Sequence, residues 1–250
     1  SGAAPLGRDL AEFFSAIGLP LIEGYGLTEG GVVILNPLSN PRPGSIGKPL
    51  RGVEVRLSED GELLLRGEML FSGYYNDPAA TAAVLRDGWL HTGDMAEIDS
   101  DGYVWITGRK KELIVSSNGK KIFPARIEGL FKLEPLVNQV MLLGDSKPYV
   151  AAVLTINPDA AASLGLVPAG TPLAEASRAP AVQEEMRRIV ARINRQLAQF
   201  EQIRKFRILD REFSIETGEM TPTMKLRRGK VISNLREVVS ELYLGREELE

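Results

Sequence analysis

Three turn signals, each ending in glycine and each set between runs of strand-forming residues, restrict this chain more than any other feature. "VEVRL" and "ELLLR" flank "SEDG"; "WLHTGDMAEI" and "YVWIT" flank "DSDG"; "ELIVSS" and "KKIF" flank Asn118-Gly119. Gly, Asn and Asp tolerate the backbone angles of a tight reversal, so each pair of runs is expected to fold back as an antiparallel hairpin. Asn118-Gly119 is the strongest short hairpin turn of the three.

Helical signals surround these hairpins. Leu10, Phe13, Phe14 and Ile17 recur at helical spacing and Gly18 follows as a C-cap. "LPLIEGY" reads as a short buried strand, and "NPLSNPRPGSIGKP" as loop. "NDPAATAAVLRDG" reads as a helix with Asp77 as N-cap, Pro78 in the first turn and Gly88 after the end. Pro124 opens a helix through Phe131, and "NQVMLLG" and "YVAAVLTI" are strands. A long amphipathic helix is expected over residues 180 to 202, and one last helix over "KVISNLREVVSELY". The pattern changes near "GRKKE": hairpin-rich β before it, a βαββ-like unit with long helices after it. The fold class is therefore α+β, with an expected division into residues 1–109 and 110–250.

Composition removes several kinds of chemistry. The 250 residues hold no cysteine, which excludes disulfides, thiolate catalysis and cysteine-bound zinc. His91 is the single histidine, so a multi-histidine metal site is impossible; beside Trp89 it reads as a strand-packing residue. A net charge of −3 gives no reason to expect nucleic acid as a partner. No apolar run reaches the roughly 20 residues of a membrane span, and no signal peptide is visible. The chain opens at Ser1 inside a pattern that reads as folded, and is expected to be a piece of something longer.

Several short stretches carry polar groups that can do chemistry. In "GYGLTEGG", Gly24 and Gly26 flank Tyr25, a ring able to stack on a flat ligand. Thr28 adds a hydroxyl and Glu29 a hard oxygen donor, a pair suited to a phosphate and its Mg2+. The same residues also make an ordinary glycine-rich turn. No GxxxxGK[ST] occurs, so this is not a P-loop. Asp94 in "HTGD" can accept hydrogen bonds from a vicinal diol, or simply bond its own backbone. Arg109 in "TGR" can pin the same diol or a phosphate, or lie on the surface. Lys225 in "MTPTMKLRRGK" can meet an anion, or belong to a solvated basic run.

The order of these stretches adds what each one lacks. "SGAAPLG", "GYGLTE", "GWLHTGD", "ITGRKKELIVSSNGKKIFPARIE" and "TPTMKLRR" together resemble the successive motifs of the adenylate-forming superfamily, which includes acyl-CoA synthetases, peptide-synthetase adenylation domains and firefly luciferase. "TPTMKLRR" and the longer helical segment at 158–202 resemble the long-chain fatty acyl-CoA synthetase branch. The resemblance implies the end of a large ATP-binding core followed by a small mobile C-terminal domain. It implies that Tyr25 stacks on adenine, that Thr28 meets the α-phosphate and that Glu29 binds Mg2+. It places Gly2, Ala3 and Ala4 along the adenine, Asp94 and Arg109 at the ribose and Lys111 at the hinge. Gly119 would stand beside the pantetheine tunnel and Lys225 would be the adenylation lysine.

The implied reaction joins a fatty acid to CoA through acyl-AMP, with ATP and Mg2+, in a cytoplasmic enzyme; peripheral membrane association suits such a substrate. The family's phosphate loop and most of the acyl pocket belong upstream of Ser1. The chain alone is therefore expected not to adenylate, and to need the N-terminal part of the same protein. Arg126 departs from the common "P-x-E-I-E". Two other readings stand beside this one: a fatty acyl-AMP ligase delivering to an acyl carrier protein, and a non-catalytic nucleotide-binding fragment.

Overall fold

The computed structural model describes residues 1–2, 6, 8–19 and 21–244, and its structure is α+β. The chain forms two compact units, Ser1–Glu112 and Leu113–Glu250.

The first unit begins with α1 (Arg8–Ala16), closed by Gly18 at φ 82° as its cap signal predicts. Leu10, Phe13 and Ile17 nevertheless lie exposed, and Ala11 is the buried position. Strands β1 (Gly24–Leu27), β2 (Gly31–Leu35) and β3 (Lys48–Pro49) form one antiparallel sheet. A second sheet is built from β4 (Val53–Leu57), β5 (Glu62–Gly67), β6 (Leu85–Arg86), β7 (Trp89–Ile98) and β8 (Val104–Arg109). Helix α2 (Pro78–Val84) precedes β6, with the Asp77 carboxylate capping the Ala80 amide. The two sheets share a core of Val33, Ile34, Leu63, Leu65, Leu90 and Val104. Gly47 bridges to Val104 at φ 95°, and a Cβ there would lie 2.1 Å from the Asn36 nitrogen. Only glycine lets the two sheets meet at that point.

The "SEDG" and "DSDG" hairpins form as expected: β4 pairs β5 and β7 pairs β8, all antiparallel. Asp99 builds the second turn by accepting the amides of Asp101 and Tyr103. Gly88 takes a different role from the expected one. With Asp87 at φ 52° and Gly88 at φ 75°, the pair makes a tight hairpin turn joining β6 to β7, and the helix has already ended at Val84.

In the second unit, β9 (Ile114–Val115) and β10 (Lys121–Ile122) form the third hairpin. Its turn is longer than the two-residue Asn-Gly form: Ser116 and Lys120 pair, and Gly119 at φ 78° closes a reversal begun at Ser116. Helix α3 (Pro124–Phe131) leads to β11 (Val137–Leu143) and β12 (Val150–Ile156). Every residue of β12 is buried, as a continuous apolar run in a covered central strand requires. Its two faces serve two cores. Ala152 and Leu154 pack with α3, α4 (Pro158–Ser163), α5 (Leu173–Ala176) and α6 (Pro180–Asn194). Ala151 and Val153 pack with Phe213, Val231, Leu235 and Leu242.

The expected helix over 180–202 ends at Asn194. The Asn194 side chain there donates to the carbonyl and accepts from the amide of Ile203, each at 2.9 Å. The chain then enters β13 (Ile203–Ile208), parallel to β12, a strand that periodicity did not single out. The expected last helix is two, α7 (Arg228–Asn234) and α8 (Arg236–Leu242), broken at Leu235.

One fully buried carboxylate holds the segment before α7. Glu219 accepts both guanidinium nitrogens of Arg211 at 2.7 Å, the Thr217 hydroxyl at 2.8 Å and the Asn234 amide at 3.0 Å. The Arg211 hydrogen bonds hold its pKa down at about 2, from the ordinary 4.5. A depressed carboxyl adds stability above the unfolded value and loses it as pH falls through the folded one. Glu219→Gln is therefore expected to cost about 3 kcal/mol at neutral pH. It should also flatten the fall of the urea midpoint between pH 4.5 and pH 2. An acid limb as steep as that of the parent would show that the ion pair contributes nothing to it.

Candidate functional site

The glycine-rich stretch is a hairpin rather than an open loop. Tyr25 lies on β1, and "TEGG" turns the chain into β2. A Cβ on Gly26 would lie 2.5 Å from the Gly31 carbonyl oxygen, so Gly26 serves the close cross-strand approach. Gly24 pairs with Leu35 across the strands, and its amide donates to the Ser1 carbonyl, which brings Gly2 alongside. Ala3 and Ala4 lie outside the described residues.

Strands from both sheets meet at Asp94. Its neighbour Gly93 takes φ 73°, which lets β7 bend while it continues. Asp94 pairs with Arg109 across β7 and β8, and Arg109 Nε stands 2.7 Å from one carboxylate oxygen. The Tyr25 hydroxyl donates to the other. Burial pushes the Asp94 pKa up, opposed by the Tyr25 hydrogen bond and by Arg109. Tyr25 is also pushed up, by burial first and then by the neighbouring carboxylate, so its hydroxyl stays a donor. A carboxylate offers about four lone-pair positions; Tyr25 and Arg109 take one on each oxygen. Three residues drawn from "GYG", "HTGD" and "TGR" thus form one cluster, and each Asp94 oxygen keeps a further lone pair.

Glu29 lies half-buried in the turn after β1, where the Tyr74 hydroxyl donates to it. Tyr74 is in turn set by Thr81 of α2, whose hydroxyl accepts its amide at 2.9 Å, and by an edge-on contact with Phe71. Thr28 is exposed beside Glu29. No group of three or more His, Cys, Asp or Glu side chains able to hold a metal occurs among the described residues. Glu29 offers one carboxylate to a cation, with the Tyr74 hydroxyl on one of its oxygens.

Sequence reasoning overlooked Tyr74 and Glu62. Glu62, in "DGELL", is buried on β5; it accepts the Gly93 amide at 2.9 Å and the Lys110 ammonium at 2.9 Å. His91 Nδ1 faces it at 3.3 Å, so the single histidine packs against a carboxylate within the sheet. A lone glutamate at the start of a strand run is the signal, and only the pairing of β5 with β7 shows its use. Lys111 follows Lys110 in a single turn of 3-10 helix and is exposed.

In the second unit Lys225 lies on a small hairpin. Met220 bridges Leu226, and the Thr221 amide donates to the Lys225 carbonyl at 2.8 Å. The turn requires Met224 at φ 59°. Lys225 is exposed, and its ammonium makes no ion pair among the described residues. Arg228, three residues on, pairs with Glu128 of α3 and donates to the Leu142 carbonyl, which fixes the base of the hairpin. Gly119 stands exposed at the tip of the β9–β10 turn, with open space where a Cβ would lie. Beside it a cleft of about 420 Å³ is lined by Asn118, Lys120, Tyr149, Phe200 and Arg204 among others. Arg126 pairs with Glu201 at 2.5 Å.

Comparison with known proteins identifies the family. The AMP-binding enzyme family matches residues 1–75, and the AMP-binding enzyme C-terminal domain matches residues 111–247. The long-chain-fatty-acid--CoA ligase FadD15 of Mycobacterium bovis is 40% identical over 97% of this chain and 41% of its own length. The long-chain-fatty-acid--CoA ligase ACSBG1 of Rattus norvegicus is 33% identical over 97% of this chain and 37% of its own. The chain thus spans about two-fifths of the length of these relatives. Among solved structures, the A domain of carboxylic acid reductase from Segniliparus rugosus, bound to AMP and a carboxylic acid, superposes with a TM-score of 0.76. It is 26% identical and covers 97% of this chain and 38% of that one. O-succinylbenzoate coenzyme A synthetase from Bacillus subtilis, in complex with ATP and a magnesium ion, gives a TM-score of 0.69. It is 26% identical over 91% of this chain and 44% of that one. With a C-terminal-domain match over more than half its length and an α+β structure shared with adenylate-forming enzymes, this chain belongs to the AMP-binding enzyme family.

Proposed function

We propose that this chain is the C-terminal part of an AMP-forming long-chain fatty acid–CoA ligase. The observation that carries the reading is that Tyr25, distant in sequence, joins Asp94 and its hairpin partner Arg109 around one buried carboxylate. In this reading Asp94 and Arg109 hold the ribose hydroxyls of ATP, and Tyr25, fixed by its hydroxyl, offers its ring face to adenine. Gly2, Gly24 and Gly26 lie along the adenine in this reading. Thr28 meets the α-phosphate, and Glu29 contributes the protein's ligand to Mg2+, which when bound offsets phosphate charge. The N-terminal part of the same protein supplies the remaining phosphate contacts and the acyl pocket. ATP and CoA as co-substrates fit a cytoplasmic location; no helix among the described residues is long and apolar enough to cross a membrane.

The first step is attack of the fatty-acid carboxylate oxygen on the α-phosphorus. A new O–P bond forms, the bond to the β-phosphate breaks and pyrophosphate leaves. Lys225, an unpaired ammonium on a hairpin anchored at its base, stabilises the charge that builds on the α-phosphate oxygens. In the second step the CoA sulfur attacks the acyl carbonyl and AMP leaves. Residues 110–250 act as a mobile domain that pivots at Lys111 between the steps and presents Lys225 first and Gly119 second. The cations and aromatic rings of the cleft beside Gly119 suit a nucleotide-bearing thiol. Catalysis is positioning and charge stabilisation throughout, consistent with the absence of cysteine.

Two measurements on the full-length protein test this reading. Asp94→Ala should weaken ATP binding by about tenfold to a hundredfold, the loss of a charge-assisted hydrogen bond; unchanged affinity would remove Asp94 from the nucleotide site. Lys225→Ala should slow acyl-AMP formation by on the order of a hundred- to a thousandfold. It should still convert supplied acyl-AMP and CoA to thioester, and Lys230→Ala should change little. Exchanged phenotypes would move the role to Lys230, and intact adenylation in both variants would sink the mechanism.

A further inference from the structure

Glu62 is a buried charge whose partners are chosen from two places. One carboxylate oxygen accepts the amide of Gly93, the residue before Asp94. The other accepts the ammonium of Lys110, the residue after Arg109. Lys110 is held further by Asp60 at 2.6 Å, and His91 Nδ1 approaches the second oxygen at 3.3 Å. The Glu62 side chain is only 6% exposed. Lys110 itself is 43% exposed, so Glu62 is the buried member of the contact, and burying a carboxylate costs stability that an apolar residue of similar volume would not. Glu62 does something an apolar residue would not: it grips the chain immediately before Asp94 and immediately after Arg109. Those two residues face each other across β7 and β8. Two residues past Lys110 the first compact unit ends, at Glu112.

We propose that Glu62 is a positioning residue that ties the placement of Asp94 to the segment joining the two units, through the Gly93 amide on one side and Lys110 on the other. The coupling has a physical basis. Each partner lowers the cost of keeping the carboxylate buried and ionised, so losing one changes how firmly Glu62 holds the other. Disturbing the junction at Lys110 therefore loosens the turn at Gly93, although Lys110 and Gly93 share no hydrogen bond. In the enzyme this makes the hold on ribose respond to the state of the junction. That consequence rests on the proposed role of Asp94; the coupling itself does not.

The test uses the full-length protein and the variants Lys110→Met, Glu62→Gln, Glu62→Ala and Asp94→Ala. Hydrogen exchange of the Gly93 amide is read without nucleotide, and ATP affinity by titration. Lys110→Met should speed Gly93 exchange by about tenfold, in proportion to a lost charge-assisted contact. Glu62→Ala should speed it more and weaken ATP binding by about tenfold. Glu62→Gln keeps an acceptor for Gly93 and should fall between the parent and Glu62→Ala. The double variant Glu62→Ala, Lys110→Met should be no worse than Glu62→Ala alone. Gly93 exchange unchanged in Lys110→Met, or additive effects in the double variant, would overturn the coupling. A lower melting temperature in Glu62→Ala with parental ATP affinity and parental Gly93 exchange would reduce Glu62 to a structural residue. Parental ATP affinity in Asp94→Ala would instead overturn the ribose reading, while the exchange results still decide the coupling.

Discussion

An ionised carboxylate cannot be buried alone, and the first unit is organised around that constraint. Asp94 is 4% exposed, and desolvation is the largest influence on its titration. It is tolerable only because Arg109 and Tyr25 reach it from opposite sides, one from the neighbouring strand and one from the other sheet. The two sheets must therefore lie close together, which Gly47 permits by having no Cβ. The β1–β2 hairpin must present Tyr25 at a fixed height, which Gly26 permits in the same way. Glu62 then repeats the arrangement one layer out, a second buried carboxylate satisfied by the chain that flanks the first.

The second unit solves a different problem with similar parts. Lys225 is carried on a short hairpin whose bridged Met220 and Leu226 pack into the second of the unit's cores. Glu219 and Arg211 hold the approach to that hairpin, and Glu128 and Arg228 hold its exit. Glu128 also accepts the Leu142 amide, so the exit is tied to the edge of the sheet. The anchored hairpin fixes where the Lys225 backbone stands, while its exposed ammonium stays unpaired among the described residues. The proposed division of labour follows from this contrast. In that proposal the first unit would hold the nucleotide by buried, hydrogen-bonded groups, and the second would bring exposed groups to it.

Much of this was legible in the sequence, for local reasons. The "SEDG" and "DSDG" turns, the Asp77 cap, the Pro124 helix start and the covered strand "YVAAVLTI" all follow from backbone preference and hydrophobic period, which neighbours in sequence determine. The candidate residues were legible too, as residue types in an ordered set of motifs. Tyr25, Asp94 and Arg109 could be named singly, each with an ordinary alternative, because their chemistry is written in the side chain.

What only the tertiary structure decided was non-local. Gly88 became a hairpin turn because Leu85 and Arg86 find partners on β7. Residues after Asn194 left the helix because Ile203 and Ile208 are buried in a sheet whose other strands lie about fifty residues upstream. Tyr74 and Glu62 acquired their roles from strands and turns that meet only in the folded chain. The sequence by itself determined which groups are present and how each short segment prefers to bend. Which groups share a buried carboxylate was settled by packing, because a hydrogen bond depends on position in space and the chain sets position only when all its cores close together.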